Sequence, residues 1–506
     1  MSEGFMQMLE KLPDQQNILS DGKAGIDRVE LIKAVDHCSH LLDRQKISRL
    51  AIYADNSLNW IITDLACQKQ GICLLPLPLY FTSQQLQHSL TTAGTWHILT
   101  DSPELLIKKL PGLKLKKQYE YCSDLCLLKS DKIHSQPALP EGTRKITFTS
   151  GSTGNPRGVC LSQAQQFSKA VQLAELLRIE KPRHLCALPL STLLENIAGV
   201  YGPMLAGGTV VLPSLNALGY QGSQLRTPQL FLGCLQMHRP DTLILIPQLL
   251  KLLVNAVSQG WEAPPFKFVA VGGSKVSPEL LQEARKLGIP AYEGYGLSEC
   301  ASVLSLNVPD HDRPGSCGIP LAAEQLDFKN GEILVRGSTM LGYVDDPHSW
   351  YPQEIRTGDL GRIDEQGFLH INGREKNLII SSYGRNISPE WIESELTASP
   401  LISEAVVYGD ARPHCIALVY PQNPAISMPK LMQAIGQVNS RLPDYAQIRS
   451  FLRLDAPLAA NSDFITSNGR PRRAQIENYY SNKIQQLYQR GTTQTTTPDT
   501  NRENAA

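Results

Sequence analysis

The sequence predicts an α/β protein in which a large α/β region is followed by a smaller α+β one. Short β-branched runs alternate with amphipathic helical stretches through the first region. A chain of 506 residues exceeds what one hydrophobic core organises. Near Lys376 the pattern changes to a compact group of helices and paired strands.

Taken in order, Leu50–Tyr53 reads as a buried strand, as do Thr209–Leu212, Thr242–Ile246 and Phe268–Val271. Lys145–Phe148 (KITF) is a further strand that runs into TSGSTGNPRG, Thr149–Gly158. After it Phe167, Ala170, Ala174 and Leu177 recur at helical spacing, so the expected order is strand, loop, helix, which suits an anion at the helix N-terminus. In VSPELLQEARKLGIP, Ser277 is the N-cap and Pro278 lies in the first turn. Leu280, Leu281, Ala284 and Leu287 form one apolar face, and Gly288 with Pro290 ends the helix. In the second region Ser388–Pro389 opens a helix carrying Trp391, Ile392 and Leu396. Glu404–Tyr408 and Cys415–Tyr420 are strands, and helices continue to about Leu487. Residues 1–374 are thus assigned to a large domain, 375–490 to a small one, and 491–506, polar and without apolar periodicity, to a disordered tail.

Composition narrows the function. Hydrophobic residues make up 42% and charged residues 19%, ordinary for a globular protein. Net charge is zero and pI is near 7.1, which gives no nucleic-acid footprint. Lys108, Lys109, Lys114, Lys116 and Lys117 form the one basic run, read as a solvated face with peripheral contact to an anionic membrane as the alternative. The 11 cysteines are odd in number and unpaired in spacing, which fits a reducing cytoplasm. The N-terminus does not fit a signal peptide, and the most apolar runs, Ile72–Phe81 and Thr242–Val254, are too short or interrupted for a membrane span.

The chemistry begins at Thr149–Gly158. Glycines let a backbone approach a ligand closely, and the hydroxyls of Thr149, Ser150, Ser152 and Thr153 with Gly151 and Gly154 can wrap a polyphosphate. Arg157 adds fixed positive charge. No Gly-Lys-Ser/Thr follows at Walker spacing, no Gly-x-Ser-x-Gly elbow is present, and GYGLSE lacks the third glycine of a dinucleotide fingerprint. His37 and His40 lack a third ligand at metal spacing and read as surface residues.

Further strings follow in order: Gly272–Gly273–Ser274, GYGLSE (Gly294–Glu299), RTGDLG (Arg356–Gly361), NGREKNLIISSYGRNISPEWIE (Asn372–Glu393) and TSNGRPRR (Thr466–Arg473). With the phosphate-type loop, the set resembles the adenylate-forming superfamily of acyl-CoA synthetases, luciferases and peptide-synthetase adenylation domains. The likeness covers nearly the whole chain to about Tyr488 and looks closest to long-chain acyl-CoA synthetases, which often carry Ser-x-Gly-x-Asn-x-x-Pro as at Ser382–Pro389. It implies a large multi-sheet α/β N-terminal domain and a smaller mobile α+β domain.

The resemblance implies ATP-dependent activation of a carboxylic acid, expected to be a fatty acid, to acyl-AMP. Transfer to coenzyme A follows, or to the phosphopantetheine of an acyl carrier protein. By that resemblance Glu299 holds Mg2+, Ser298 meets the α-phosphate, and Tyr295 and Gly296 share the nucleotide site. Gly272, Gly273 and Ser274 lie along adenine. Asp359 takes the ribose hydroxyls, since a carboxylate accepts from both, and Arg374 contacts nucleotide. Lys376 is the hinge, and Ser382, Tyr383, Gly384 and Arg385 form the thiol-acceptor loop. Glu195, Asn196 and Tyr201 are expected in the acyl-pocket wall. Arg470 stands where the family carries its adenylation lysine, and arginine is planar, bulkier and less hydrated. Arg157 for lysine, Gln163 for histidine and Asn377 for an acid are milder departures. A catalytically weak acyl or nucleotide binder is the alternative that Arg470 raises.

Overall fold

The computed structural model describes residue 10 and residues 17–122, 124–130, 136–149, 156–222, 224–322, 324–383, 385–461, 463–466 and 470–491. The chain divides into two compact units, Met1–Ile371 and Asn372–Ala506.

The larger unit holds two large sheets with helices packed on them. One has nine strands in the order Ile319–Pro320, Ser302–Leu306, Ala291–Leu297, Phe268–Val271, Thr242–Leu245, Arg183–Leu185, Thr209–Val211, Leu19–Ser20, Gly25–Ile26. Its central strands are parallel and almost wholly apolar, as sheets covered on both faces require. Ala291–Leu297 pairs in parallel with Phe268–Val271 on one side and antiparallel with Ser302–Leu306 on the other. The sheet therefore changes character at GYGLSE. A register shift between Tyr295 and Gly296 bends the strand there, and a Cβ on Gly296 would lie 1.8 Å from the Ser302 carbonyl oxygen. At the opposite end, Leu19–Ser20 lies parallel to Thr209–Val211, with the Val210 and Leu212 amides donating to the Ile18 and Ser20 carbonyls.

The second sheet has eight strands and includes Arg157–Ser162, Thr143–Thr149, Cys73–Pro76 and Arg49–Tyr53 as successive neighbours. Here one expectation is corrected. The helix Gln163–Leu177 does not follow the Ser150–Asn155 segment directly, because Arg157–Ser162 intervenes as an antiparallel strand against Thr143–Thr149. Val159 and Leu161 bury in one core cluster and Cys160 between them in another, so the strand is covered on both faces. The helix is then capped by Ser162, which accepts from the Gln165 amide, while the Gln165 side chain accepts from the Ser162 amide.

A second correction concerns Glu195, Asn196 and Tyr201. They lie in a π-helix, Glu195–Tyr201, with the Gly202 amide reaching back to the Ile197 carbonyl. All three side chains are fully buried in polar networks. Glu195 joins His184 at 2.9 Å, and Asn196 and Tyr201 join Asp64 at 3.0 and 2.6 Å. A carboxylate, an amide and a phenol so committed cannot also face an apolar chain.

The smaller unit has a three-stranded sheet. Ile402–Tyr408 runs antiparallel to Cys415–Pro421, which pairs in parallel with Ile448–Arg453. Helices Pro389–Ala398, Met428–Asn439 and Arg473–Gly491 accompany it. Ser388 caps the first by accepting from the Trp391 amide. Among the described residues the cysteines are free thiols, most of them buried, and no helix is long and apolar enough to cross a membrane.

Candidate active site

Three chain reversals in the larger unit gather the expected residues. The segment Gly272–Ser274 leaves the carboxyl end of Phe268–Val271, where ligands of open α/β sheets bind. The Gly272 amide donates to the Leu245 carbonyl at 3.0 Å, which fixes the segment to the neighbouring strand. Ser298–Cys300 forms a single 3-10 turn after Ala291–Leu297, and Ser298 and Glu299 are both half-buried in it.

Glu299 is held at two points. Its carbonyl accepts from the Met340 amide at 2.7 Å, and its carboxylate Oε1 accepts from the Tyr343 hydroxyl at 3.0 Å. The same Tyr343 ring carries the Arg157 guanidinium 3.5 Å from its centroid, and Arg157 pairs with Asp346 at 3.2 Å. Arg157, Tyr343 and Glu299 are thus linked by successive contacts, a cation stacked on an aromatic whose hydroxyl reaches the carboxylate. Burial pushes the Tyr343 hydroxyl well above its ordinary range, and Glu299 adds to the rise. It therefore stays a proton donor to Glu299. Tyr343 was not anticipated. GYVDDP contains no motif to flag it, and only the pairing of Gly342–Tyr343 with Arg157–Ser162 brings it here.

On the same strand Tyr295 donates to Asp359 Oδ2 at 2.7 Å. Asp359 is buried in Ile355–Ile363, and its amide donates to Thr357 Oγ1 at 3.0 Å. Beneath them lies Glu293, buried, with the Val276 amide donating to it at 3.4 Å. Burial raises its carboxyl to about 7, against the lowering pull of Lys275. Thr149 ends its strand with its hydroxyl 3.5 Å from the Arg157 carbonyl. Ser150, Gly151, Ser152, Thr153 and Gly154 lie outside the described residues.

An apolar wall stands beside Gly272. Leu194 Cδ2 would lie 3.9 Å from a Cβ at Gly272. Leu194, Ala198 and Ala270 are each half-buried and pack against two separate core clusters. Glu195, Asn196 and Tyr201 are turned away from these three into the buried polar networks.

Within the smaller unit, Arg374 closes the strand Leu369–Arg374, and Lys376 is the middle residue of the 3-10 turn Glu375–Asn377. Asn377 donates to Glu390 Oε1 at 2.6 Å. Ser382, Tyr383 and Arg385 lie on the hairpin between Ile379–Ile380 and Asn386–Ile387, with Gly384 outside the described residues. Tyr383 is 77% exposed. Arg470 donates its amide to Thr466 Oγ1 at 2.9 Å while the Thr466 amide returns to the Arg470 carbonyl at 2.7 Å. That reciprocal pair closes the loop bearing Arg470, and Arg473 anchors its far side by a two-pronged contact with Glu393 at 2.7 and 2.6 Å.

Residues 10–344 match the AMP-binding enzyme family, and residues 376–492 match the AMP-binding enzyme C-terminal domain. The chain belongs to the AMP-binding enzyme family. This AMP-binding enzyme is 27% identical over 385 residues to a 2-succinylbenzoate–CoA ligase of Bacillus subtilis, covering 71% of this chain and 74% of the relative. It is 37% identical over 158 residues to a long-chain-fatty-acid–CoA ligase of Mycobacterium tuberculosis, covering 29% of this chain and 26% of the relative. Its fold is similar to that of the anthranilate CoA ligase AuaEII in complex with anthranoyl-AMP, with a TM-score of 0.79 at 16% identity, over 94% of this chain and 97% of that one.

Proposed function

We propose that this AMP-binding enzyme is an acid–CoA ligase that works through an acyl-adenylate. The observation that carries the reading is the linked set Arg157–Tyr343–Glu299 beside the Tyr295–Asp359 pair at one strand end. In the first step a carboxylate oxygen attacks the α-phosphorus of ATP and pyrophosphate leaves. In the second the coenzyme A thiolate attacks the acyl carbonyl carbon, and AMP leaves with the bonding electrons. Both steps bring anions together, so fixed cations and oriented donors must be in place beforehand. Arg157 supplies fixed charge, Asp359 accepts from the ribose hydroxyls, and Gly272–Ser274 lies along the adenine. Arg374 adds a nucleotide contact, and Arg470 takes the position of the adenylating lysine.

Glu299 fits magnesium. It is a hard oxygen donor at the site's edge, and only one of its carboxylate oxygens is engaged by Tyr343. Bound there, magnesium neutralises phosphate charge. The acid is a fatty acid in this reading. Leu194, Ala198 and Ala270 give it an apolar wall and offer no cation to a second carboxylate such as that of 2-succinylbenzoate. The hairpin pattern SSYGRNISP points the same way.

An acyl carrier protein as acceptor is the second reading, favoured by Ile380 and Tyr383, which stand 52% and 77% exposed on the acceptor hairpin. One experiment tests all of this. The enzyme is given ATP, magnesium and octanoate, laurate, palmitate or 2-succinylbenzoate. Pyrophosphate is measured, and acyl-AMP and acyl thioester are identified by mass with coenzyme A or holo carrier protein added. A fatty acyl-AMP that passes to coenzyme A is expected. ATP binding without pyrophosphate from any acid would leave a binder in its place.

A further inference from the structure

The Glu195–Tyr201 π-helix is fastened on two flanks by buried polar groups for which the two-step chemistry has no use. On one flank Glu195 Oε1 meets His184 Nε2 at 2.9 Å, Glu195 Oε2 accepts from the Leu188 amide at 3.2 Å, and His184 Nδ1 meets Thr242 Oγ1 at 2.9 Å. On the other, Lys145 Nζ lies 2.9 Å from Asp64 Oδ2 and 3.1 Å from the Tyr201 hydroxyl, and also contacts Asn196 Oδ1. Asp64 Oδ2 accepts in addition from Tyr201 at 2.6 Å and Asn196 at 3.0 Å. Lys145 and Asp64 are both fully buried.

Such a network is costly to desolvate, and apolar residues of equal volume would stabilise the core as well or better. What it does supply is geometry. Between the two flanks the π-helix carries Ala198, which packs on the same two core clusters as Leu194, the residue beside Gly272. Lys145 stands on Thr143–Thr149, the strand that leads into the phosphate-type loop.

We propose that Lys145, Asp64, Tyr201, Glu195 and His184 are positioning residues that clamp the π-helix, and that through Leu194 and Ala198 they set which acids the enzyme accepts. This rests on the reading that the apolar wall beside Gly272 receives the acid. A loosened clamp lets the wall drift, so the acid binds less selectively, while Arg157, Glu299 and Asp359, to which the ATP contacts are assigned, are not members of the clamp.

The test compares Tyr201→Phe and Glu195→Gln, each close in shape to the native side chain, with Leu194→Trp, which fills the slot. KM and kcat are measured for octanoate, laurate and palmitate and for ATP, beside the melting temperature. Loss of one buried hydrogen bond should raise KM for the best acid about fivefold and flatten the chain-length preference, with KM for ATP unchanged. Leu194→Trp should shift the preference to the shortest acid. If Leu194→Trp shifts it but neither clamp variant does, the clamp is only structural and the proposal falls. Should Leu194→Trp leave the preference untouched, or no acid in the series be used, the acid-slot reading fails and takes the proposal with it. A clamp variant that lowers the melting temperature yet keeps the wild-type acid preference also counts against it. If Tyr201→Phe does not fold, Glu195→Gln decides.

Discussion

At Glu299 one carboxylate is oriented by a phenol that itself supports an arginine. Glu299→Gln keeps the size and removes the charge, so pyrophosphate release should slow by about 10²-fold or more. Wild-type rates in that variant would remove the magnesium role. Arg470 is the other residue on which much depends. Arg470→Ala should cripple acyl-AMP formation yet leave thiol transfer from supplied acyl-AMP largely intact, because its charge is needed only where two anions meet. Arg470→Lys should retain or raise the first rate, since a compact ammonium replaces a planar fork. Both half-reactions can be followed separately by mass. The motif strings made Glu299, Asp359 and Arg470 legible as residues of interest. Tyr343, which orients Glu299, was not legible, because only the pairing of Gly342–Tyr343 with Arg157–Ser162 brings it there; Tyr295 was expected in the nucleotide site, but its contact with Asp359 was not foreseen.

At the scale of elements, Glu195, Asn196 and Tyr201 were expected in an acyl-pocket wall and lie instead in buried polar networks. The segment is a π-helix, in which the Gly202 amide reaches back five residues to the Ile197 carbonyl and side chains face other directions than α-helical spacing gives. Likewise the strand Arg157–Ser162 was hidden behind glycine and hydroxyl residues that read as loop. Helix boundaries with explicit caps, as at Ser277 and Ser388, were legible because the capping chemistry is local.

Two predictions belong at this scale. A Cβ at Gly199 would lie 2.4 Å from Glu195 Oε1 and 2.7 Å from His184 Nε2. Gly199→Ala should therefore destabilise the fold by about 3 kcal/mol in urea unfolding, as overpacking parts a buried hydrogen-bonded pair. Glu293, in the strand Ala291–Leu297, titrates at about 7 when folded against 4.5 as its ordinary value. The unfolded chain loses this proton first, so its contribution to stability is full below pH 4.5 and declines up to about pH 7. Glu293→Gln should remove that decline. Parallel pH profiles of melting temperature for the two proteins would show that Glu293 does not titrate in this window.

For the molecule as a whole, two units with separate cores are consistent with a chemistry of two steps. The sequence places a change of pattern near Lys376, and the compact units divide between Ile371 and Asn372. If Lys376 is the hinge, its backbone must visit two conformations, and proline would hold one. Lys376→Pro should then impair one half-reaction far more than the other. Equal loss of both would mean a general folding defect and would remove the hinge assignment.

The strand Leu19–Ser20 carries a consequence for how the protein is made. During synthesis it leaves the ribosome long before Thr209–Val211, its parallel partner, has been translated. Until then its partner in the sheet is the short antiparallel strand Gly25–Ile26. The nine-stranded sheet can thus be completed only by a contact between distant parts of the chain, the kind that slows folding. Before that contact forms, Thr209–Val211 is a bare parallel edge able to recruit another chain. A nascent polypeptide of this sequence has reason to keep Leu19–Ser20 available until Thr209–Val211 has emerged, and a change that ties this strand down should favour aggregation.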